Sequence, residues 1–142
     1  MSLKESFAKT KVKVLPGDFF IVQISLIYEK NVDDALRKLR GFYSLTFDDE
    51  EITLILSEED WKKIYYLFKE ARIEKPYKVI TLDTILEWDV IGYVATVSKI
   101  LAKENISIGV VSSFSRDHVL VEKSDLKKAV SLIKNYIKKC KK

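Results

Sequence analysis

The chain has 142 residues, enough for one ordinary domain or for two very small ones that share a core. Hydrophobic residues make up 47% and charged residues 32%, which excludes a disordered chain, and with 4 Gly and 2 Pro there is no glycine cluster for a phosphate cradle. The net charge of +4 is modest; one cysteine, Cys140, excludes an intrachain disulfide, and one histidine, His118, excludes a Cys/His zinc site within one chain.

Residues 1–10 read as a loose leader. Lys11 to Leu15 alternates, and Pro16-Gly17 marks a turn. Asp18 to Tyr28 is rich in Phe, Ile and Val and reads as a buried strand. Asn31 to Asp34 supplies a cap for a short helix through Leu39, ended by Gly41. Phe42 to Phe47 and Glu51 to Leu56 read as two strands joined by the acidic turn Asp48-Asp49-Glu50. Ser57 opens a helix on which Trp61, Ile64, Tyr65 and Phe68 fall at core-facing spacing.

Glu74-Lys75-Pro76 is the expected junction. Tyr77 to Trp88 then reads as a long strand, Asp89-Val90 as a turn and Ile91 to Lys103 as a helix with Val94, Val97 and Leu101 on one face. Ile106 to Ser112 and Asp117 to Glu122 form a hairpin about Ser115-Arg116. Ser124-Asp125 caps a last helix with a stripe of Leu126, Val130, Ile133 and Ile137. Lys134, Lys138, Lys139, Lys141 and Lys142 then read as a solvated basic tail, with Cys140 an exposed thiol within it. No apolar run approaches the roughly 20 residues of a membrane span, and Met1 to Glu5 opens no signal peptide, so a cytoplasmic location is expected.

The halves share one grammar and local sequence. Phe47 aligns with Phe114, Glu50 with Asp117, Ile52 with Val119, Leu54 with Val121 and Ser57 with Ser124, all offset by 67 residues. The expected units are 11–75 and 76–142, the second carrying the basic tail. The fold class is α+β, two tandem βαββα units with antiparallel sheets and helices on one face. Whether the leading strand 11–15 completes the sheet of the other half is left open.

The pattern resembles the ACT domain, a ferredoxin-like regulatory module. Ile106-Ser107-Ile108, Ser112-Ser113-Phe114, Asp117-His118 and Leu120-Val121 are similar to the hairpin of the ACT proteins related to the cellular arginine sensors. Val14-Leu15-Pro16-Gly17-Asp18-Phe19-Phe20 and Gly41 to Thr46 are similar to the first strands of small two-ACT members. The resemblance implies a non-enzymatic regulatory or sensor protein that binds a small effector, an amino acid, at an ACT–ACT interface, and a homodimer paired through its second units. It implies a site built from the loop Asp89, Val90, Ile91 and Gly92, the strand start Ser107 and Ile108, and the hairpin residues Ser113, Phe114 and Asp117. It implies no cofactor, no metal, no catalytic residue and no membrane partner. Arg116 stands where the motif has Thr and puts a cation beside the expected carboxylate.

The chemistry of those residues fits such a ligand. Free N–H groups at the start of the helix, on Ile91, Gly92 and Tyr93, suit a carboxylate, and Asp117 suits an ammonium group. Each residue also has a plainer role: Gly92 permits close packing, Asp89 caps the helix, Asp117 pairs with Arg116 or Lys123 on the surface, and Phe114 packs in the core. Asp117 and His118 are adjacent on a strand and point to opposite faces, which argues against an acid–base pair. A structural dimerisation module without ligand and an RNA-binding ferredoxin-like sheet are the alternatives. The second needs exposed aromatics such as Phe19, Phe20, Phe42 and Tyr43 on a basic face, and the acidic turn counts against nucleic acid.

Overall fold

A computed structural model describes residues 1–74 and 76–142; of the expected junction, Lys75 lies outside the described residues. Along the chain the elements begin with α1 (Leu3–Ala8), β1 (Lys11–Val14) and β2 (Phe19–Ile24). A 3-10 turn, Leu26–Asn31, leads into α2 (Val32–Lys38), followed by β3 (Tyr43–Phe47), β4 (Ile52–Ser57), α3 (Glu58–Ile64) and the short β5 (Arg72–Ile73). Then come β6 (Tyr77–Asp83), α4 (Tyr93–Ala102), β7 (Ile108–Ser112), β8 (Asp117–Glu122) and α5 (Leu126–Cys140).

The chain divides into two units, 16–77 and a discontinuous one made of 1–15 with 78–142. The division differs from 11–75 and 76–142 in where the leader goes. β1 pairs antiparallel with β6, Val12 opposite Leu82 and Val14 opposite Ile80, so the leading strand is hydrogen-bonded into the sheet of the C-terminal half.

In the unit 16–77, β2 pairs antiparallel with β4 and with β5, and β3 pairs with β4, giving the order β3-β4-β2-β5. Its core holds Val22, Ile24, Ile52, Leu54, Leu56, Trp61, Ile64 and Phe68. Ser57 caps α3 by accepting from the Asp60 N–H, as its spacing predicts. The helix tightens to a 3-10 turn at Tyr65–Leu67, which swings Tyr65 out to 58% exposure instead of into the core. The buried strand read over 18–28 stops at Ile24, where Ser25 turns the chain by accepting from Ile27 N. Phe19 is buried, which removes it from any exposed aromatic platform.

In the other unit the sheet order is β1-β6-β8-β7. One face of this sheet, through Ile80, Leu82, Val119 and Val121, packs on α1, α4 and α5, which contribute Phe7, Tyr93, Val97, Leu101, Ala129, Ile133 and Ile137. The leader is therefore a structural element. Ser2 caps α1, and Phe7 is fully buried, stacked on Tyr93 at 4.2 Å and edge-on to Tyr136 at 5.0 Å.

The basic stretch is helical through Cys140, whose half-buried thiol packs against this core, so it is the last turns of α5 rather than a tail. Ser124 lies in a 3-10 turn, Lys123–Asp125, and no side chain caps α5. Among the described residues no helix is long and apolar enough to cross a membrane.

Candidate ligand-binding site

β6 ends at Asp83, five residues short of the expected Trp88. The Asp83 carboxylate is held by Lys13 at 2.8 Å and Arg116 at 3.2 Å, and these cations lower its pKa, the Lys13 hydrogen bond most. Residues 84–92 are a loop. The Leu86 N–H donates to Ser115 O at 2.7 Å, tying the loop to the tip of the β7–β8 hairpin, and the Val90 N–H donates to Glu87 O.

At its end Gly92 has φ +90°, a left-handed conformation that a Cβ disfavours, and α4 starts at the next residue. Glycine brings no side-chain cap, so the N–H groups of Tyr93, Val94 and Ala95 have neither an intrahelical acceptor nor a capping oxygen. The first helical bond is Thr96 N–H to Gly92 O at 2.9 Å, reinforced by the Thr96 hydroxyl at 2.7 Å.

Facing this helix start is the hairpin. Ser113 closes its turn through N–H and hydroxyl bonds to Arg116 O. Asp117 is 8% exposed, against the reading of a surface carboxylate, and its Oδ1 accepts from the hydroxyl of Ser112, its cross-strand partner, at 2.6 Å. Among the described residues no donor reaches its Oδ2. Its negative charge helps to keep Tyr93 a phenol. Burial first, then the Asp117 charge, push that pKa up to about 12 against the opposing bond to Thr10. Arg116 turns to Asp83 and not to Asp117.

Loop, helix start and hairpin enclose a concavity of about 410 Å³. Of the expected residues, Val90, Gly92, Ser113, Phe114 and Asp117 line it. Asp89 and Ile91 belong to the same loop but lie outside the lining, with Ile91 turned to solvent. Ser107 is exposed ahead of β7 and Ile108 begins that strand; neither reaches the concavity. The open helix-start N–H groups are those of Tyr93, Val94 and Ala95, two residues later than expected, because the left-handed Gly92 delays the helix. Ser112 is not among the expected residues, although the hairpin register alone places it opposite Asp117.

Trp88 and Phe114 stand at the rim with fully exposed rings, so Phe114 is not a core residue, and Ile85, Ile91 and Val110 are exposed apolar side chains of the same loop and hairpin. His118 points away from Asp117 to the Thr81 hydroxyl, 2.9 Å from its Nδ1. Burial, then the Arg116 charge, lower its pKa, and Asp117 works in the opposite direction. Among the described residues no group of His, Cys, Asp and Glu is arranged to hold a metal ion.

Comparison with known proteins agrees with this architecture. Residues 72–135 match the family model of the ACT domain. No curated protein matches the sequence. A structural-genomics protein from Agobacterium tumefaciens is 26% identical with a TM-score of 0.71, covering 89% of this chain and 88% of that one. A protein of unknown function from Vibrio cholerae, described as a possible transport protein, is 19% identical with a TM-score of 0.73 and 95% coverage of both chains. The regulatory subunit of aspartate kinase from Thermus flavus is 11% identical with a TM-score of 0.70, covering 88% of this chain and 95% of that one. The mixed α+β fold is that of tandem ACT-like proteins, and the matches together support an ACT-domain protein.

Proposed function

We propose that the chain is a non-catalytic regulatory protein that binds a small effector, an amino acid, in the concavity between the start of α4 and the β7–β8 hairpin. One observation carries the reading: a buried carboxylate, Asp117, held on one oxygen by Ser112, faces a helix start whose first N–H groups lack acceptors. The two ends of a zwitterion match these groups. The ligand carboxylate takes the N–H groups of Tyr93, Val94 and Ala95, where the helix dipole also favours an anion. The ligand ammonium takes the open oxygen of Asp117, a charge-assisted bond.

The rim supports a second part of the proposal. Fully exposed Trp88 and Phe114, with Ile91 nearby, are more apolar surface than a lone subunit gains by showing to water. A second copy of the chain covers this rim, and the effector is enclosed by the pair. The ACT match, and a structural neighbour that is a regulatory subunit of aspartate kinase, favour regulation over catalysis. The placement of Asp117 and His118 also gives no acid–base pair on one face of β8. The same rim would suit a dimerisation module with no ligand, but that reading leaves the half-satisfied Asp117 carboxylate without a task.

The test is a thermal-unfolding screen against the twenty amino acids at millimolar concentration, following Trp88 fluorescence. A ligand at 100 times its Kd adds about 2.7 kcal/mol of stability. One chemical class should raise the midpoint, and Asp117→Asn, which keeps the shape and removes the charge, should abolish the shift. A screen in which no amino acid moves the midpoint overturns the amino-acid assignment.

A further inference from the structure

Away from this site, β1 is an edge strand of its sheet, paired on one side with β6. The Leu15 N–H donates to Val79 O, and antiparallel ladders alternate, so the backbone groups of Lys11 and Lys13 also point to β6 while those of Val12 and Val14 point outwards. Beside that free edge runs α5, and the two enclose an open groove of about 890 Å³. Its floor is apolar, with Val12, Val14, Val130 and Ile137. Its wall is a stripe of Lys127, Lys134, Lys138 and Lys141, and among the described residues no carboxylate and no aromatic side chain lines it.

We infer that this groove docks an extended acidic segment of a partner polypeptide, added to the sheet as a further strand against β1. Outward N–H and C=O groups at Val12 and Val14 offer the ladder that such a segment completes. Side chains on one face of an added strand recur every 6.6–6.8 Å or so. Lys134 and Lys138, four residues apart on a helix, are separated by about 6 Å along its axis. Carboxylates at alternate positions therefore meet the lysines, while the intervening side chains turn to the other face of the sheet. A nucleic acid would find the charge but no aromatic ring to stack on and no use for an open strand edge.

The experiment uses the full chain and a fluorescently labelled heptapeptide alternating glutamate and valine. Controls are the same peptide with lysine for glutamate and a single-stranded oligoribonucleotide. Anisotropy should show saturable binding of the acidic peptide alone, with slowed hydrogen exchange at the amides of Val12 and Val14. Lys134→Glu combined with Lys138→Glu, both on an exposed helix face, should weaken binding at least tenfold with an unchanged melting midpoint. Absence of binding overturns the inference. So does equal binding of the RNA, or peptide binding without protection at Val12 and Val14, either of which would mark a polycationic surface and not a strand-docking groove.

Discussion

Asp60 shows how much one carboxylate can organise. Its side chain is almost wholly buried on α3, yet its oxygens accept from Gly41 N–H at 2.9 Å, Arg40 N–H at 3.1 Å and Lys63 Nζ at 2.9 Å. Burial acts to raise its pKa, and the Gly41, Lys63 and Arg40 hydrogen bonds with the Lys63 charge outweigh it, so the value lies below the ordinary one. Asp60→Ala strands two backbone donors at the turn into β3 and should cost about 1–3 kcal/mol in urea unfolding at neutral pH. The folded-state pKa is depressed, so this stabilisation is complete above the unfolded value, about pH 4, and is lost as pH falls through the folded value. The gap between wild type and variant should therefore narrow at pH 3. Asp117 has the opposite character, with one oxygen held and the other left open, and that difference separates a structural carboxylate from a candidate ligand group.

At the scale of elements, hairpins and core stripes were legible and endings were not. The offset of 67 residues located β4 and β8 because alternating Ile, Leu and Val leave little choice of face, and the register bears this out with Ile52, Leu54 and Leu56 buried on one side. Ser57 and Ser124 occupy equivalent positions, but one caps a helix and the other sits in a 3-10 turn, a choice of backbone geometry that residue identity does not make. At the end of β6, Asp83 meets Lys13 and Arg116, which come from distant parts of the chain. Helix α1 was missed although Ser2-Leu3-Lys4-Glu5 has capping-box spacing, because six residues are too few for a periodic stripe. Its importance comes from packing. Phe7→Ala removes a fully buried ring stacked on Tyr93 and should cost about 3–5 kcal/mol, read as a shift in the denaturant midpoint with an unchanged slope.

For the molecule as a whole, the consequence is unequal independence of its two units. Residues 16–77 contain all the strands and the core of their own unit, whereas 78–142 lack β1 and the Phe7 ring that fills the core under α4 and α5. Their unit is completed by a segment more than sixty residues earlier in the chain, so it pays the closure entropy of a long loop before β1 and Phe7 contribute. A chain of residues 16–77 alone should therefore unfold cooperatively, if with modest stability for its size. A chain of residues 78–142 alone should show weak helicity and a broad transition, with an open sheet edge along β6. Adding a synthetic peptide of residues 1–15 should restore it, as a saturable rise in circular dichroism and a sharpened melt. The same peptide carrying Phe7→Ala should bind far more weakly, because it can pair with β6 but leaves the space against Tyr93 and Tyr136 unfilled. A chain of residues 78–142 that melts as sharply as the full protein, and is indifferent to the peptide, would show that the leader decorates a finished unit rather than completing it.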